Sequence, residues 1–76
     1  MTIHENDLSS QAIIRRRLAE AELECARGLA RITRQRELIL QGLGGGSGQL
    51  EQRLSQLLEQ QAQLERHRDL LRRRVA

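Results

Sequence analysis

The chain has no proline, no phenylalanine, tyrosine or tryptophan, no lysine and a single cysteine. Each absence excludes something. Without proline, nothing forces a kink or a stop inside a helix. Without aromatic rings there is no large apolar payload for a core and no stacking platform for unpaired bases. Cys25 alone cannot close an internal disulfide, and with His4 and His67 it falls short of a structural zinc set, so neither metal nor cofactor is expected. No apolar run approaches the ~20 residues that span a bilayer. Met1 to Asp7 lacks the basic start and apolar stretch of a secretory signal. The expectation is a cytoplasmic chain with a reduced cysteine and no membrane association. At 76 residues, a lone core supplies only roughly 3–5 kcal/mol. With disulfide and metal excluded, oligomerisation is the staple that remains.

What is present is Gln, Glu, Arg, Leu and Ala, the composition of long helices. All 13 basic residues are arginine, set among 10 acidic ones for a net charge of +3. Arginine suits phosphate and carboxylate recognition, but so modest a surplus does not by itself argue for nucleic acid. Apart from Gly28, the glycines fall between Gly42 and Gly48. They stop one helix and start another: residues 1–6 read as a flexible N-terminus, 7–41 as helix one, 42–48 as a turn and 49–75 as helix two. Several residues between Asn6 and Ser10 can cap the first helix, Ser47 is a good N-cap for the second, and Glu51 complements its dipole. Gly44 to Gly48 also has the composition of a designed linker, yet a connection this short folds the second helix back on the first. The fold class is all-α, a two-helix antiparallel coiled-coil hairpin within one domain.

In helix two, Leu50, Leu57, Leu64 and Leu71 recur at sevens, each followed four residues later by Leu54, Gln61, Arg68 and Val75. That is a heptad seam with leucine at every d position, the strongest signal in the chain. Helix one offers Ile14, Leu18, Ala21, Cys25, Leu29, Ile32, Ile39 and Leu43 at threes, fours and sevens, with Arg36 on the same face. A shallower stripe of Leu8, Ala12, Ala19, Leu23, Ala26 and Ala30 implies contact with a second neighbour. Gly28 costs helix stability relative to alanine and is a candidate for a close helix approach.

A reversal centred on Gly45 and Gly46 sets Ile39 against Leu54, Ile32 against Gln61, Cys25 against Arg68 and Leu18 against Val75, with Leu43, Leu29 and Glu22 across from Leu50, Leu64 and Leu71. Three consequences follow from that register. Gln61 and Arg68 interrupt the seam, where a polar residue costs stability but fixes register. Helix one overshoots, leaving Leu8, Ile13 and Ile14 as candidates for binding a partner. Arg15, Arg16 and Arg17 meet Arg72, Arg73 and Arg74 at the open end, a candidate anion-binding pole.

Catalytic motifs fail on inspection. His67-Arg68-Asp69-Leu70 copies the start of a kinase catalytic loop, but Arg74 stands where that loop needs Asn. The glycine segment lacks the Lys-Ser/Thr ending of a phosphate loop and any strand before it. Cys25, on the apolar face, reads as a small buried hydrophobe. A hairpin has no cleft in which to exclude water around an acid–base pair, so neither an enzyme nor a small-molecule substrate is expected.

Gly28-Leu-Ala-Arg-Ile-Thr-Arg-Gln-Arg-Glu-Leu-Ile39, a glycine-bearing turn, and Leu57-Leu58-Glu59 through His67-Arg68-Asp69-Leu70-Leu71 together carry a resemblance. This stretch resembles a group of small uncharacterised bacterial helical-hairpin proteins with an Ile-x-Arg-Gln-Arg-Glu-Leu-Ile helix, a loop, and a second helix bearing His-Arg-Asp and Leu-Leu. The resemblance implies a native hairpin and no particular activity. The expected function is a non-catalytic helical interaction module, most simply a homodimer forming a four-helix bundle, with a larger protein as a further partner. The alternative is a small nucleic-acid-binding hairpin that uses the arginine pole.

Overall fold

The computed structural model describes residues 2–42 and 48–75, with side chains from Ser9 onward. Two helices, α1 (Thr2–Leu40) and α2 (Gln49–Arg74), lie antiparallel against each other, with no strand among the described residues. The result is a rod of 65 × 14 × 13 Å.

α1 starts at Thr2, ahead of the expected Asn6–Ser10. It stops at Gly42, whose φ of 67° is left-handed and whose N–H donates to Ile39 O at 3.0 Å. Only glycine takes that conformation at no steric cost. α2 is capped by Gly48, φ 75°, with no side-chain cap hydrogen bond. The expected cap Ser47 and the seam residue Leu43 both lie outside the described residues. At the far end, Arg72, Arg73 and Arg74 occupy the last turn of α2, where cations oppose the helix dipole favourably.

The interface follows heptad spacing on both helices. On α1 the covered residues at this spacing are Gln11, Ile14, Leu18, Ala21, Cys25, Gly28, Ile32, Gln35 and Ile39, with Leu38 half-covered beside them; Ala21, Cys25, Gly28 and Ile32 are buried. On α2 and at its C-cap they are Leu50, Leu54, Leu57, Gln61, Leu64, Arg68, Leu71 and Val75, with Glu65 half-covered beside them and Leu57, Gln61 and Leu71 buried. Steps of three and four residues keep one stripe facing the partner. Three glutamines cross-link the helices: Gln35 Nε2 donates to Leu50 O (3.0 Å), Gln61 Nε2 to Cys25 O (2.9 Å) and Gln11 Nε2 to Arg74 O (3.4 Å).

These bonds correct the sequence reading at several positions. The helices are displaced by about one turn from the expected register: Gly28 sits against Gln61 and Leu64. Stepping outward from that layer pairs Ile32 with Leu57, Cys25 with Leu64, Leu18 with Leu71 and Ile14 with Val75. Leu29 is not in the seam but 52% exposed, because the step from Cys25 lands on Gly28 and the next residue is rotated by about 100°. Arg36 is exposed for the same reason. Ile14 is half-covered and not part of an overhang, whereas Ile13 is 53% exposed. Leu8 lies in α1, but its side chain is outside the described residues. Glu22, expected opposite Leu71, lies on the flank, 3.9 Å from Arg72.

Candidate interaction surfaces

One layer of the seam is polar and tight. Gln61 is 5% exposed, with Nε2 bonded to Cys25 O and to Glu65 Oε2 at 3.2 Å. Its Oε1 is buried without a hydrogen-bond donor. A methyl at Gly28 would overlap that oxygen and come within 3.0 Å of Gln61 Cδ. The glycine is therefore the hole into which the glutamine fits. Arg68, also in the seam, behaves differently: its side chain is 25% exposed and reaches out to Asp69 Oδ1 from Nε (3.0 Å) and Nη2 (2.9 Å). The hydrogen bond to Asp69 raises its already high pKa, so it stays charged.

The hairpin has two broad sides, and two observations identify them. The Glu22–Arg72 pair marks the first. The same side carries the residues that follow the buried series, Leu29 and Arg36 on α1 and Leu58 and Glu65 on α2, with the alanines Ala19, Ala26 and Ala62 beyond them. Leu29 (52%) and Leu58 (42%) are exposed here. The second side is marked by a cleft of about 170 Å³ lined by Arg31, Arg34, Gln35, Leu38, Arg53 and Leu57. This side carries six arginines, Arg17, Arg27, Arg31, Arg34, Arg53 and Arg74, against Glu20 and Glu24. Glu24 Oε1 pairs with Arg27 at 3.3 Å. Among the described residues no carboxylate pairs with Arg31, Arg34 or Arg53; Arg53 Nη1 donates to Gln56 Oε1 at 3.5 Å.

The arginine pole looks different once placed on the helices. The register brings Arg15–Arg17 level with Arg72–Arg74, between the Gln11–Arg74 and Glu22–Arg72 contacts. Three consecutive helical residues, however, point about 100° apart. Arg15 and Arg72 therefore lie on the first side, Arg17 and Arg74 on the second, and Arg16 and Arg73 on the outer edges. They share a level but not a surface. A hollow of about 270 Å³ lined by Arg66, Asp69, Leu70 and Arg73 belongs to α2 alone.

No group of three His, Cys, Asp or Glu among the described residues could hold a metal. Cys25 is buried and free. Among the described residues no helix is long and apolar enough to cross a membrane. The cleft arginines Arg31, Arg34 and Arg53 were not legible from the sequence, because they meet only in the observed register. Compared with known protein families, with curated proteins and with solved structures, the chain matches none.

Proposed function

We propose that the chain is a non-catalytic helical interaction module whose alanine- and leucine-bearing side takes a second copy, giving a four-helix bundle. The supporting observation is uncovered surface. The accessible area is 6089 Å², against ~4,700 Å² for a compact monomer of this mass. The radius of gyration is 18.1 Å, where a compact domain of this length has ~11 Å. The excess exceeds the ~800 Å² that each partner of a standard interface covers. Leu29 and Leu58, with Ala19, Ala26 and Ala62 between and beside them, form an apolar strip that small residues allow a second helix pair to approach closely. Charges of both signs flank it, Arg36, Glu51, Glu65 and Arg72 among them, so the same patch on a two-fold-related copy is self-complementary.

Analytical ultracentrifugation tests this. A dimer is expected at tens of micromolar, shifted to monomer by Leu29→Glu or Leu58→Glu. Leu70→Glu, on the other side of α2 and 57% exposed in the native chain, should leave the dimer intact. A wild-type monomer at high micromolar concentration overturns the proposal. So does a dimer that Leu70→Glu disrupts as strongly as Leu58→Glu.

A further inference from the structure

We infer that the second broad side, opposite the dimerising strip, binds the phosphate backbone of a nucleic-acid duplex, with Arg31, Arg34 and Arg53 around the interhelical cleft as its centre. This rests on a different face from the proposed dimer and does not require it. Three arginines from two helices line one shallow cleft, and no carboxylate lines it. Guanidinium is always charged and presents a planar fork of donors that matches phosphate oxygens two at a time. Leu38, Leu57 and Gln35 complete the lining. Gln35 is itself tied to Leu50 O, which fixes α1 against α2 beneath the arginines.

The charge pattern favours a long, regularly charged partner over a single small anion. Arg27, Arg31 and Arg34 follow one another along α1 at steps of four and three residues, about 6 and 4.5 Å of rise. Arg17 and Arg74 continue the same side toward the open end of the 65 Å rod. The side holds six arginines and two glutamates, one of which is paired internally. A duplex is favoured over a single strand because the chain has no aromatic residue on which a base could stack. Backbone contacts of this kind position a protein without reading sequence, so binding should be indifferent to base order.

The test is fluorescence anisotropy of the full chain with a labelled duplex of about 20 base pairs, the length of the rod at 3.4 Å per step. DNA and RNA duplexes of one sequence serve as parallel arms. Binding is expected at low salt, with log K falling against log salt at a slope of about −3 to −5, as four or five phosphate contacts require. The triple variant Arg31→Gln, Arg34→Gln, Arg53→Gln should weaken binding at least tenfold and flatten that slope by about 2–3. Arg15→Gln, Arg16→Gln, Arg73→Gln removes the same charge from the pole, off this side, and should change affinity less than threefold. All six residues are exposed, and circular dichroism checks that both variants keep the fold. No binding to either duplex at low salt overturns the inference. Equal losses in the two triples overturn it as well, since net charge alone would then explain the affinity. Displacement of the duplex by polyglutamate at equal charge concentration would show an acidic polypeptide to be the better ligand and would also overturn it.

Discussion

At the scale of single residues, the most consequential pair is Gly28 and Gln61. A glycine in mid-helix normally costs about 0.5–1 kcal/mol relative to alanine, so Gly28→Ala should stabilise α1 if nothing else changed. The space is taken, however, because the new methyl would overlap Gln61 Oε1. Gln61 must then swing away, losing its bond to Cys25 O and leaving a poorly filled layer. Overpacking of this kind costs about 1–3 kcal/mol, which outweighs the helix propensity gained. Urea denaturation should therefore show Gly28→Ala to be destabilising by roughly 1–2 kcal/mol. In a Gln61→Ala background the methyl has room, and the same substitution should become stabilising by up to about 1 kcal/mol. The sign change is the diagnostic. Simple helix propensity predicts stabilisation in both backgrounds. Arg68, by contrast, keeps its head on the surface with Asp69; an exposed pair of this type contributes about 0–1 kcal/mol, so Asp69→Asn should be nearly silent in the same assay.

At the scale of elements, the question is how the two helices find one register. The heptad leucines Leu57, Leu64 and Leu71 were legible in the sequence because every seventh residue is the same large aliphatic side chain. Helix count and the chain reversal were legible from the glycine cluster. The inner face of α1 was harder. Its seam includes Gly28 and Gln35, neither of which registers in apolar periodicity, while the neighbouring Leu29 fits that periodicity and yet is half-exposed. Gly28 makes sense only beside Gln61, and that information lies across the helices, not along either one. The same one-turn difference concealed the Arg31, Arg34 and Arg53 cleft. Register can be measured directly by oxidation in a Cys25→Ser background. Leu18→Cys with Leu71→Cys places two thiols in one layer and should cross-link readily. Leu18→Cys with Val75→Cys, the pairing that a reversal centred on Gly45 and Gly46 implies, sets them about one turn, or 5.4 Å, further apart, beyond easy disulfide reach. Faster closure of the second pair would show the observed register to be wrong.

At the scale of the whole molecule, the hairpin has little core of its own. Among the described residues the buried apolar side chains are Ala21, Cys25, Ile32, Leu57 and Leu71, two of them small, and none of the described residues is a disulfide or metal staple. A single layer of helix packing between two rods leaves each helix uncovered over more than half its circumference. Folding of a module built this way should be coupled to association, and coupling has a measurable consequence. When only the dimer is fully folded, each tenfold rise in protein concentration adds about 1.4 kcal/mol per dimer. At the unfolding entropy of a domain of some 150 residues, the melting temperature should then rise by roughly 3–6 °C per tenfold. Leu58→Glu should abolish that dependence and lower the melting temperature at every concentration, since the glutamate carboxylate would be buried against the second copy without a partner. Arg31→Gln, on the opposite side, should leave both the slope and the midpoint within error of the wild type. A wild-type melting temperature independent of concentration, with full helicity in circular dichroism, would mean that the two-helix hairpin is stable alone and that its uncovered strip serves something other than self-association.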